Sequence, residues 1–226
     1  MMVSARVADG LHKTEVSSRN LGQGASVIEL KPRARQDFTS SLGMMVFLAS
    51  WAMMFSTLFF AYAFLRARAV SWPPPDVPVL PVALPALNTL VLLASSFTFQ
   101  RGIGPLRRVQ PGDGLARSRR RQLAPWVLAT FALGAVFLAL QLVVWRGVWA
   151  SGLTHQTGIY GGIFYGFTVL HALHVVAGLL VLLWVFVRSL RLDYTEHNVV
   201  NVRLCAMFWH FVDVVWVLMF VTLYLL

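Results

Sequence analysis

Charge is what this sequence has least of. Only 12% of its 226 residues are Asp, Glu, Lys or Arg, and 58% are hydrophobic. A soluble domain carries about twice that share of charge, so the chain reads as integral to a membrane. Cysteine is nearly missing: Cys205 stands alone, which excludes an intrachain disulfide and any cysteine-built metal or iron–sulfur site. Acidic residues are outnumbered, nine against nineteen Lys and Arg. The resulting net charge of +10 does not mark a nucleic-acid binder, because nearly all the positive residues flank apolar runs, where they set orientation. No glycine-rich phosphate loop and no G-x-S-x-G elbow occurs in the context those motifs need.

Long apolar runs are what the sequence does have. A helix needs about 20 apolar residues to cross the hydrocarbon core. Five runs qualify: Leu42–Leu65, Pro81–Phe99, Ala124–Trp145, Ile159–Val187 and Leu204–Leu226. The expected fold is therefore all-α, an integral membrane bundle of five transmembrane helices over residues 42–226. Residues 1–41 are polar and poor in aromatics, cannot bury enough apolar surface to fold alone, and are expected to form a flexible cytoplasmic tail. The first apolar run starts as far in as Leu42, so it is expected to act as its own uncleaved insertion signal. Sixteen Lys and Arg lie in the tail, the loop Arg101–Arg121 and the loop Arg188–Arg203, against three in the other two loops. That split places the N-terminus in the cytoplasm and the C-terminus outside, periplasmic in a bacterial inner (cell) membrane.

One carboxylate falls within the five runs, Asp213. A charged group in hydrocarbon needs a partner. His210 lies one turn before it on the same face, and His171 and His174 repeat that spacing in the preceding run. Measured at about 1.5 Å per residue from Arg188 and Arg203, the two pairs lie within about two turns of each other in depth. The expectation is a metal-free polar lock between the last two helices, formed by His171, His174, His210 and Asp213. The same residue types also suit zinc or iron, a haem pair or a proton path. Gly158, Gly162 and Gly166 recur every four residues, which predicts close packing of a neighbouring helix. The Arg-rich segment Arg117–Arg121 and the pair Arg188 and Arg191 suit anionic lipid headgroups or simple snorkelling.

Three blocks, in order, carry a family resemblance. Trp209-His210-Phe211-Val212-Asp213-Val214-Val215-Trp216 resembles the signature of subunit III of haem–copper respiratory oxidases. Trp72-Pro73-Pro74 followed by Leu87–Ser95 resembles that family's second block, and His171-Ala172-Leu173-His174-Val175 with Gly178 its third. The similarity covers about Leu42 to Leu226 and corresponds to the five-helix form, without the first two of seven helices. The resemblance implies an accessory chain with no haem or copper of its own and no catalytic residues. Its partners would be oxidase subunit I, directly, other oxidase subunits that hold haem and copper, and phospholipids. Its complex would reduce oxygen, pump protons and take electrons from cytochrome c or a quinol. Arg188 matches a position that contacts lipid headgroup in the family, and His197 in the following loop is expected to join it.

The sequence departs from the family at three carboxylates. Trp51 stands where a buried glutamate is common, Leu142 follows Gln141 where a glutamate is common, and Arg203 aligns with a third. A carboxylate-based proton role is thereby weakened, while packing and lipid roles stand. Two further readings remain: a subunit-III-like accessory protein of a nitric oxide reductase, and an independent intramembrane metalloenzyme or transporter built on the His/Asp cluster.

Overall fold

The computed structural model describes residues 32–74, 78, 80–104, 123–190 and 196–225, with side chains described from 38 and, in the last helix, from 200. Among these residues five helices follow one another: α1 Pro32–Arg68, α2 Ala83–Ile103, α3 Leu123–Ala150, α4 Gly158–Leu190 and α5 Glu196–Phe220, the last closing in a π-helical turn, Val221–Leu225. All five are long and apolar enough to cross a membrane. In lipid no water can satisfy a free peptide group, so each span must close its own backbone hydrogen bonds as a helix.

The helices outrun the apolar runs that announce them. α1 begins at Pro32, inside the stretch expected to be tail, because nothing between Pro32 and Leu42 forbids a helix and proline suits a first turn. α2 starts after Pro81, and Pro85 sits in its first turn, where its missing N–H costs no intrahelical bond. α4 has 33 residues, about 50 Å of helix at 1.5 Å per residue, so it must tilt or project beyond a hydrocarbon core of about 30 Å.

α2 and α3 pack most closely, α5 lies against α2, α4 and α1, and α4 packs on α3. The core is aromatic: Trp209, Trp216, Phe99, Phe137, Phe164 and Phe167 are its largest fully buried side chains. α1 is peripheral, with Phe55 and Tyr62 its only buried hydrophobics among the described residues. It is held by rings rather than by interdigitated aliphatics. Phe59 meets Phe167 at 5.0 Å between centroids, and Trp72, just after α1, lies between Tyr62 at 5.4 Å and Tyr160 at 5.2 Å. Trp72 Nε1 also donates to the Tyr62 hydroxyl at 3.1 Å.

Candidate functional site

Trp209 and Trp216, the two ends of the block in α5, are seven residues apart and so share one helix face. Both reach α2. Trp209 Nε1 donates to Ser95 Oγ at 3.2 Å, and Trp216 Nε1 donates to Thr89 Oγ1 at 2.9 Å. The indole of Trp209 slides over two glycines. A Cβ on Gly178 of α4 would meet its ring at 2.9 Å, and one on Gly134 of α3 at 2.8 Å. Trp216 packs edge-on against Phe137 of α3, with centroids 4.8 Å apart, and beside His171 of α4 at 5.3 Å. Three blocks separated in sequence thus meet in space. The second supplies Thr89 and Ser95, the third supplies His171 and Gly178, and the last supplies both tryptophans.

The four residues expected to form one lock are divided. His171 is fully buried between Phe137 and Trp216, and neither ring nitrogen has a hydrogen-bond partner among the described residues. His174 turns toward α1: its Nδ1–H donates to the Leu170 carbonyl at 2.7 Å, and its ring meets Trp51 at 4.2 Å and Phe55 at 5.4 Å. His210 and Asp213 face α2 instead of α4. His210 Nδ1 is 2.6 Å from Ser96 Oγ, its Nε2 is 3.4 Å from Gln100 Oε1, and its Nδ1 is 3.9 Å from Asp213 Oδ2. The geometry therefore corrects the expected bridge between the last two helices. Equal depth on α4 and α5 does not fix rotation about either axis, and α5 turns Trp209 and Trp216, not Asp213, toward Gly178 and His171 of α4. Among the described residues no three His, Cys, Asp or Glu side chains group closely enough to hold a metal ion.

The glycine stripe is also redirected. No atom lies within 4 Å of a Cβ placed on Gly158 or Gly166, and for Gly162 only a loop carbonyl comes that near, at 3.9 Å. All three are exposed. No helix uses them for close approach among the described residues; Gly134 and Gly178 do that instead. Gly158 has a different local reason to be glycine, a φ of +64° at the start of α4, which a side chain would disfavour.

Two features escaped the reading of the sequence. Asn88 of α2 and Gln141 of α3 are fully buried and joined by an Nδ2–H to Oε1 bond of 3.3 Å. Ser96 and Gln100 flank His210. The available signal was the unusual polarity of the second span, with Asn88, Thr89, Ser95, Ser96, Thr98 and Gln100 within thirteen positions.

At the C-terminal end of α4, Arg188 lays its guanidinium over the Trp184 ring, 5.2 Å from the centroid. Trp184 borders a groove of about 570 Å³ between α1, α4 and α5, lined by Met44, Trp51, Leu173, His174, Val181 and Phe208 among others. The side chain of His197, the loop that carries Arg117–Arg121, and Arg191 after α4 all lie outside the described residues.

A bundle of five helices able to cross a membrane, closed by tryptophan-to-hydroxyl bonds, defines an integral membrane protein. Residues 34–226 match the family model of cytochrome c oxidase subunit III. A cytochrome c oxidase subunit 3 of Thermostichus vulcanus is 35% identical over 205 residues, covering 90% of this chain and 95% of the relative. A probable cytochrome c oxidase subunit 3 of Mycobacterium tuberculosis H37Rv is 36% identical over 81% of this chain and 86% of its own. The elephant Loxodonta africana has one that is 32% identical over 80% of this chain and 67% of its own. The chain belongs to the cytochrome c oxidase subunit III family, and it is an accessory subunit of a haem–copper oxidase. None of these relatives supports the nitric oxide reductase or independent-enzyme readings.

Proposed function

We propose that this subunit packs directly beside oxidase subunit I and holds a phospholipid at its cytoplasmic side, so supporting proton uptake and lasting activity of a catalytic centre that lies in its partners. The observation that carries the lipid is the groove between α1, α4 and α5 beside the Trp184–Arg188 pair. Its lining is almost wholly apolar and suits an acyl chain, while Arg188 marks where a phosphate would lie. A guanidinium is always charged and makes forked bonds to phosphate oxygens. The cation–π contact holds that guanidinium at the groove's rim rather than free in water.

Trp51 fits the same reading. Its ring lines the groove and covers His174, so an apolar wall stands where the family commonly has a buried carboxylate. The electron donor of the complex is proposed to be cytochrome c, as the names of the relatives say of them. The membrane is proposed to be a bacterial cell membrane, with the N-terminus in the cytoplasm.

Native mass spectrometry of the purified oxidase tests the lipid. Arg188→Ala is expected to lose at least one bound phospholipid relative to wild type, with the subunit still present. Unchanged lipid number and identity would count against the site.

A further inference from the structure

A polar atom buried in a membrane bundle needs a hydrogen bond, because neither hydrocarbon nor bulk water can supply one. Asn88 of α2 and Gln141 of α3 share a single bond, from Asn88 Nδ2–H to Gln141 Oε1 at 3.3 Å, and both are fully buried. Asn88 Oδ1 and Gln141 Nε2 are left without a partner among the described residues, and so is the buried hydroxyl of Tyr224. Tyr224 belongs to the π turn that closes α5. Such a turn takes up an extra residue, and it returns Tyr224 toward the face of α5 that carries Trp209 and Trp216. The ring is held by Phe164 of α4 and by Phe220, with centroids 6.0 Å and 5.8 Å away, which keeps the hydroxyl inside the bundle. Gln141 lies close enough to act on that hydroxyl, yet the two form no well-aligned direct bond.

We propose that this is an internal water site: ordered water bridges the Tyr224 hydroxyl to the Asn88–Gln141 pair, and so ties α2, α3 and the end of α5 together. The donors and acceptors select the ligand. The pair leaves over one amide N–H and one amide oxygen, and it does so whichever way the two amides are turned, since oxygen and nitrogen then exchange roles in both. A free N–H repels a cation, and a free carbonyl oxygen repels an anion. Water donates and accepts, as does the phenol, so it complements the whole set in either assignment. A buried water makes about three hydrogen bonds, and this set offers three unpaired atoms. None of the three residues lines the groove beside Trp184, so the site stands apart from the lipid reading.

Tyr224→Phe in the purified oxidase complex tests this, because it removes the hydroxyl and keeps the ring. Deleting a buried hydroxyl that nothing satisfies relieves the fold, whereas deleting one that water satisfies strands the water and the amides it serves. The unfolding temperature of the variant subunit is therefore expected to fall; a rise or no change would overturn the site. A structure of the complex at a resolution that shows ordered water is expected to place a water within hydrogen-bond distance of the Tyr224 hydroxyl and of one amide of the pair, and to lose it in Tyr224→Phe. A direct bond from Gln141 to Tyr224 with no water, or a partner's side chain in its place, would overturn the site as well.

Discussion

A single added methyl group separates the two kinds of glycine in α4. At Gly178 it would sit 2.9 Å from the Trp209 ring, and that ring cannot retreat because its Nε1–H is bonded to Ser95. Gly178→Ala is therefore expected to destabilise the subunit by about 1–3 kcal/mol, the usual cost of overpacking a filled core. At Gly166 nothing lies within 4 Å, and Gly166→Ala in the isolated subunit is expected to be neutral or to gain up to about 1 kcal/mol of helix propensity. Unfolding of the two variants in mixed micelles compares them directly. Equal effects would refute the assignment of the tight contact to Gly178. The outward glycines are left available for a contact outside this chain, and loss of assembly by Gly166→Ala in the complex, with the isolated subunit unharmed, would place one there.

At the scale of the element, α2 is the polar spine that α3 and α5 grip. It meets α5 through Trp209 to Ser95 and Trp216 to Thr89, and α3 through Asn88 to Gln141. The two tryptophan contacts run in opposite order along α2 and α5, as antiparallel helices require. Asn88 Oδ1 and Gln141 Nε2 have no hydrogen-bond partner among the described residues, so the pair is only half satisfied there. Removing one partner leaves another buried polar group alone, at about 1–3 kcal/mol, whereas removing both is nearly neutral. Asn88→Leu and Gln141→Leu are accordingly each expected to destabilise, and the double variant by less than their sum, with a coupling of about 0.6–2 kcal/mol. Additive effects in a double-mutant cycle would show that the bond carries no net interaction between α2 and α3.

Over the whole molecule, the bundle is firmest where α2, α3, α4 and α5 meet and loosest at α1, whose contacts are aromatic edges and whose inner half borders the groove. A lipid-filled gap there would be closed by an acyl chain rather than by protein, which is why the subunit's fold and its proposed lipid role are one question. Orientation is set by the sixteen-to-three distribution of Lys and Arg. Cysteines introduced at Ser71 and Ser118 are expected to react with an impermeant maleimide from opposite sides, Ser71 from outside and Ser118 from the cytoplasm. Labelling of both from the same face would refute the five-span topology.

The number of helices was legible in the sequence, because a span is a one-dimensional property: about 20 apolar residues suffice, whatever they pack on. Family membership was legible for a related reason, since the blocks Leu87–Ser95, His171–Val175 and Trp209–Trp216 keep their order along the chain. The partner of each polar side chain was not legible. Depth follows from counting residues, and by depth His171 and His174 suited Asp213. Rotation about each helix axis decides contact, and that was settled by where the large indoles could be stored. Trp209 needed two glycines opposite it, at positions 134 and 178, and Trp216 needed a hydroxyl, at Thr89. Once those indoles were seated, Asp213 had to face Ser96 and α2, and His171 was left between two aromatic rings. Span count, order and charge asymmetry belonged to the sequence alone, whereas the rotation of α5, and with it the surroundings of His171, His210 and Asp213, was decided only by packing, because steric fit between helices depends on residues far apart in the chain.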